Sequence, residues 1–163
     1  MNILKRIKAP RPAKMTPGRL RSCSYESRSN GMMANSDAFW TAEIIREDVQ
    51  KKKCVSLTVR KKEALASAHE KKVRLTEDAF LQIEAFVQRE NLAALSKLKQ
   101  QRPLFQVMDY SSSETIRLVF DETENGKVVS ESICLDVAAL RQNDLGHLAD
   151  TLQRMLADAA QKS

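Results

Sequence analysis

Two histidines, three cysteines and one tight cluster of carboxylates are the first residues to weigh for chemistry in this chain. Nucleophilic catalysis needs a nucleophile and a base within hydrogen-bond reach, with a third group orienting the base. His69 lies in a lysine-rich stretch and His147 near the start of the last amphipathic segment, and neither is near a cysteine or paired carboxylates in sequence. Cys23, Cys54 and Cys134 are odd in number and far apart. That spacing suits neither a disulfide framework nor a zinc site, which needs close pairs, and it fits a reducing, cytoplasmic setting. Cys134 falls beside Arg117 if the hairpin around it has a two-residue turn, and a small half-buried strand residue is the expectation there. Asp121, Glu122 and Glu124 could face a cation, but calcium loops space their ligands regularly around a turn glycine, and this trio does not. With four glycines in the chain, no phosphate-cradling loop is present either. The expectation is a non-enzyme with no catalytic residue, metal or cofactor.

Charge is the more informative chemistry. The net charge of +6 is unevenly spread: residues 1–31 carry eight bases and one acid, residues 50–74 nine bases and two acids, and residues 104–163 five bases and ten acids. Such polarity concerns partners and association, not fold. The nine bases of the second block are Lys51, Lys52, Lys53, Arg60, Lys61, Lys62, Lys71, Lys72 and Arg74. They are the candidate nucleic-acid-binding residues. Phosphate contacts by such a block release counterions and are strongly salt-dependent. No aromatic is interleaved with them, which argues against a platform for stacking single-stranded bases.

The elements that would position these residues follow from periodicity. Residues 1–33 hold three prolines, little apolar pattern and an excess of base, which predicts a disordered basic tail. Three origins for it compete: an arm that meets phosphates, an organelle-targeting leader, or sequence outside the mature protein, since Met32-Met33 precedes a helix start. Asn35-Ser36-Asp37 offers N-cap oxygens ahead of Trp40, Ile44 and Ile45, which predicts a helix over residues 37–52 with Trp40 in the core. Val55, Leu57 and Val59 alternate with polar residues and predict a short strand. Residues 63–73 read as a weak helix. Thr76 then caps a stronger one, through Phe80, Ile83 and Val87 to about Gln101, with Asn91 in its apolar seam and Pro103 stopping it.

Strand, short helix and capped helix over residues 55–90 is an order that resembles a ribbon–helix–helix DNA-binding module. The resemblance implies that Ser56, Thr58 and Arg60 enter the major groove while Thr76, at a helix start, meets a phosphate. The chain departs from the pattern where His69 and Lys72 interrupt the first helix and where the loop lacks glycine.

Residues 104–110 read as a strand, and residues 115–136 as a hairpin turning at Asn125-Gly126, both of which tolerate positive φ. A two-residue turn there sets Leu118 opposite Ile133 and Ile116 opposite Leu135; it also sets Phe120 opposite Glu131, a poor pairing, so a longer loop with a shifted register is the alternative. Asp136 is placed to cap a short helical turn over residues 137–140. Asn143-Asp144 precedes a final helix whose stripe is Leu145, Leu148, Leu152, Met155, Leu156 and Ala159. The predicted fold is α+β: N-terminal helices, then a three-stranded antiparallel meander and a C-terminal amphipathic helix. One domain spans residues 34–163, with a mostly helical basic part (34–103) and an acidic β-β-β-α part (104–163).

The function expected from these readings is that of a small intracellular nucleic-acid-binding or regulatory protein that contacts phosphates of DNA or RNA. The alternative is a protein-interaction adaptor or chaperone-like module with no nucleic-acid role, binding a protein partner or itself through its helices. No run of apolar residues is long enough for a membrane span.

Overall fold

The structure is a computed structural model that describes residues 18–31, 33, 36–49, 52–99 and 111–162. Six antiparallel strands form one sheet in the order β4-β3-β2-β1-β5-β6. They are β1 (Arg19–Asn30), β2 (Ala38–Val49), β3 (Lys52–Lys62), β4 (His69–Leu75), β5 (Ser111–Glu124) and β6 (Lys127–Asp136). Three α-helices, α1 (Glu77–Arg89), α2 (Val137–Gln142) and α3 (Gly146–Gln161), together with a 3-10 turn at Leu92–Lys97, cover one face of that sheet. The expected architecture of N-terminal helices before a three-stranded meander is therefore wrong. The fold is α+β, but the N-terminal half builds most of the sheet.

The helix expected over residues 37–52 is strand β2. Trp40 and Ile44 are four apart, a spacing that fits both a helix face and a strand face, so it cannot decide between them. The residues between decide: Ala42 is buried on the same side, while Thr41 and Glu43 point to the other. Adjacent Phe39-Trp40 and Ile44-Ile45 also favour a pleated surface. Trp40 is half-buried against the core and near Tyr25, with ring centroids 6.1 Å apart.

Residues 19–30, expected within a disordered tail, form a central strand, paired to β2 on one side and to β5 on the other. A strand covered on only one face needs apolar groups at alternate positions, and Leu20, Cys23 and Tyr25 supply them between serines. A bulge at Arg21 restores this phase, because the β1–β5 register shifts between Leu20 and Ser22. Residues 1–17 lie outside the described residues, as does the strand expected over 104–110.

The weak helix expected over residues 63–73 is a turn followed by β4, which pairs with β3 from Val55–Leu75 to Lys61–His69. An edge strand has one polar face and one open side, so a lysine-rich sequence can occupy it. This pairing also removes the ribbon–helix–helix order: the chain runs strand, strand, helix over residues 55–90.

The stronger helix starts where expected, after Thr76, and buries Phe80, Ile83, Phe86 and Val87, although Thr76 makes no side-chain cap bond. It stops at Arg89, not near Gln101, because Asn91 takes a left-handed conformation (φ 50°) and is exposed. The hairpin of β5 and β6 has the register of the two-residue turn, with Leu118 opposite Ile133, Ile116 opposite Leu135 and Phe120 opposite Glu131. Asp136 accepts from the Ala138 N–H at 2.9 Å and starts α2. On α3, Leu148, Leu152 and Leu156 are buried, and Leu145, Met155 and Ala159 pack at the margin.

One buried ion pair ties the layers together. Arg46 on β2 meets Glu84 on α1 at 3.3 Å, and its guanidinium lies 4.1 Å from the Phe80 ring centroid. The pair also satisfies the backbone beside the bulge: the Leu20 N–H donates to Glu84 Oε1 and Arg46 Nη1 donates to the Leu20 carbonyl, each at 3.3 Å. Arg46 Nε has no hydrogen bond but lies 3.7 Å from the Glu77 carboxylate. Among the described residues, no helix is long and apolar enough to cross a membrane.

Candidate nucleic-acid interface

Eight of the nine candidate bases fall on one hairpin at one edge of the sheet: Lys52, Lys53, Arg60, Lys61 and Lys62 on β3, and Lys71, Lys72 and Arg74 on β4. Lys51 lies outside the described residues. Alternation along the strands divides the eight between two faces. Arg60, Lys62, Lys72 and Arg74 share the face that carries no helix, because their register partners there are Thr41, Phe39, Thr58 and Ser56. Lys52 shares that parity. Lys53, Lys61 and Lys71 have the parity of the helix-covered face.

Partners then separate engaged bases from available ones. Arg60 meets Glu70 across the strand pair at 2.6 Å, and Lys61 meets Glu63 at 2.6 Å. Lys62 donates to Asp37. These contacts act on the acids: the Lys62 ammonium holds the Asp37 carboxyl below its usual range, and Lys61 does the same to Glu63. Lys71 Nζ donates to the Ala160 carbonyl at 3.1 Å, which satisfies a carbonyl in the last turn of α3. Lys52, Lys53, Lys72 and Arg74 make no ion pair with any described residue. Lys72 and Arg74 are two apart on one face of β4, so their Cα atoms are separated by about 6.8 Å. That is about twice the axial rise per phosphate on one strand of a duplex.

The open face extends the polar surface inward. Across it the register sets Lys72, Thr58, Glu43, Ser24 and Arg117 in one row, and Glu70, Arg60, Thr41, Glu26 and Thr115 in the next. A third row holds Lys62, Phe39 and Arg28, whose guanidinium lies 5.7 Å from the Phe39 ring centroid and pairs with Glu26 at 3.4 Å. Small hydroxyl residues at the centre and long charged ones around them leave a shallow depression of about 390 Å³. Arg28 and Arg117 escape a reading of the sequence alone. One lies in a stretch that lacks apolar pattern and the other some forty residues past the basic block, and only the six-strand register unites them.

No family model matches this chain, and no curated protein is similar to it.

The other chemically suggestive residues are dispersed. His69 and His147 are both exposed, on the edge strand and on α3. Cys134 stands opposite Arg117 as the two-residue turn implies, but it is exposed, not half-buried. Cys23 is fully buried, and burial pushes its thiol up to about 12, so it is a packing residue and no nucleophile. Among the described residues, no group of three His, Cys, Asp or Glu is placed to hold a metal ion. A second concavity, of about 420 Å³, lies between α1, α3 and β4, with Leu75, Ala79, Ile83, Met155 and Ala159 among its lining residues.

Proposed function

We propose that this is a non-enzymatic nucleic-acid-binding protein whose β3–β4 hairpin contacts the phosphates. One observation carries the reading: bases separated by up to 22 residues in sequence gather on a single two-stranded edge, and Lys72 and Arg74 have no ion-pair partner among the described residues there, side by side on the open face. A two-stranded antiparallel ribbon fits the major groove of a duplex, and its alternate side chains can reach phosphates on the flanks. Arg28 and Arg117 extend the positive groups inward. The hydroxyls of Ser24, Thr41 and Thr58 between them can donate to phosphate oxygens.

Titrating the full chain into labelled duplex DNA and duplex RNA across a salt series tests the reading. A chain that neutralises Z phosphates loses affinity with a log–log slope of about −0.9Z on duplex DNA. A measurable slope of two or more, reduced in a Lys72→Glu/Arg74→Glu variant, supports the hairpin as the contact. Absence of binding at about 50 mM salt, where such contacts are strongest, removes the reading.

A second reading rests on the groove between α1 and α3. Its partly apolar lining suits a hydrophobic segment of a protein partner, as an adaptor would bind one. Loss of partner recovery on Met155→Lys, with nucleic-acid binding unchanged, would favour that role.

A further inference from the structure

The edge of the sheet opposite the basic hairpin is built differently. Among the described residues no strand pairs with the outer side of β6. Near its start, Val128 and Val129 are 65% and 50% exposed, two of the few large hydrophobic residues this accessible. They lie at the turn end of the β5–β6 hairpin: among the described residues β1 pairs with β5 as far as Arg19–Asp121, and residues 122–124 pair there with β6 alone. An unguarded strand of this kind is a template for another strand.

We propose that the strand it takes is the same segment of a second copy of this chain, paired antiparallel about a two-fold axis through Val129. The choice of occupant comes from the sequence Lys127-Val128-Val129-Ser130-Glu131. A two-fold antiparallel pair sets residues with a constant sum of positions opposite each other. Centred on Val129, it places Lys127 against Glu131 of the second copy, twice, Val128 against Ser130 twice, and Val129 against itself. No like charges meet.

The hydrogen-bond phase agrees. Asn125 and Gly126 (φ 50° and 76°) make a two-residue turn closed by Glu124 and Lys127. Pairing alternates from there, so the Val129 backbone bonds to Glu122, and the N–H and C=O groups of Val128 and Ser130 point outward. Those are the groups the proposed pairing joins, giving four hydrogen bonds. The two Val129 residues then occupy the close, non-hydrogen-bonded position, where side chains interact best. Because the overlap uses the turn end of the hairpin, the two bodies lie on opposite sides of the junction.

The overlap is short, below the roughly 1,200 Å² of a standard interface, so association in the micromolar range or weaker is expected. Sedimentation of the full chain from about 1 µM to about 1 mM, a range that brackets such affinities, measures it. Lys127→Glu and Glu131→Lys each place like charges opposite at two symmetric positions and are expected to weaken the dimer about tenfold. The double variant exchanges the charges and is expected to restore it, which also shows that the variants fold. In a Cys134→Ser background, Val129→Cys brings two thiols together with Cα atoms about 4.5 Å apart, within disulfide range, and is expected to cross-link on oxidation. A strict monomer overturns the proposal. So does a dimer indifferent to the charge variants, or a monomer that binds strand-forming peptides at this edge instead.

Discussion

The sheet ends in two strands that face the same hazard and meet it differently. β4 is short, and four of its seven residues, Glu70, Lys71, Lys72 and Arg74, are charged. A strand dressed this way resists pairing with another sheet, since lysines on an edge keep it solvated. β6 is longer, and its exposed start carries Val128 and Val129, with Lys127 and Glu131 as the charges on the strand itself and Asp121 and Glu122 across the hairpin on β5. The difference teaches that one sheet can assign different tasks to its two ends. The guarded edge resists strand addition, and its charge is what the proposed nucleic-acid contact would use. The other edge leaves the backbone of Val128 and Ser130 open for the pairing proposed above.

Both edges depend on one internal fastening. The Arg46–Glu84 pair, with side chains 7% and 10% exposed, holds β1 and β2 to α1 and satisfies Leu20 at the bulge. Glu84→Ala leaves the Leu20 N–H without a partner and strips the buried Arg46 guanidinium of its closest carboxylate, leaving it the Leu20 carbonyl and the half-exposed Glu77. The expected loss is about 3–5 kcal/mol, read by chemical denaturation. An Arg46→Met/Glu84→Leu pair should lose less, because no charge is stranded. Next in size, Lys72→Glu/Arg74→Glu should lower affinity for duplex DNA and reduce the salt slope by about two, since each lysine or arginine accounts for about 0.9 of slope. Stability should change little, because neither residue has an ion-pair partner. Converting the guarded edge into the other kind, with Lys71→Val/Lys72→Val, should raise self-association in light scattering. If that variant stays as dispersed as the parent, the guarding role of these lysines is wrong.

How much of this was legible in the sequence follows one physical rule. The β5–β6 hairpin was readable as a hairpin, because Asn125-Gly126 sets its own turn; its register was open between that turn and a longer loop, since Phe120 opposite Glu131 is a poor pairing, and the structure has the two-residue turn. Asp136 as a cap and the α3 stripe are likewise local signals. The larger part of the sheet was not legible. β1 has too few apolar residues to announce itself, and its strand state comes from β2 and β5 on either side, partners far apart in sequence. β2 carries Trp40 and Ile44 at a spacing shared by both periodicities. β4 looks helical and soluble because an edge strand is allowed to be mostly charged. The basic block was legible as charge but not as geometry. That eight of its bases share one hairpin, and that half of those are engaged, needed the register.

The engagement of Lys62 gives the smallest effect and a direct test of how charge is rationed on the basic edge. Asp37, just before β2, accepts from Lys62 at the end of β3, and that contact lowers the Asp37 carboxyl below its usual range. A carboxyl lowered on folding stabilises the folded state above its unfolded value, near 3.8, and loses that contribution as pH falls through the lower, folded value. The stability difference between the parent and Asp37→Asn should therefore be constant near neutral pH. It should shrink only below about pH 4 and vanish once the folded carboxyl is protonated. The Asp37 side chain is about half exposed (46%), so solvent screens the contact and the difference should be small. The same substitution should act in the opposite sense on binding. It removes one acid and releases Lys62 toward the open face, where Arg60 remains held by Glu70. Affinity for duplex DNA should rise and the salt slope should steepen by about one. An unchanged slope would mean that phosphates do not reach the β3 end of the hairpin, and would confine the contact to Lys72 and Arg74.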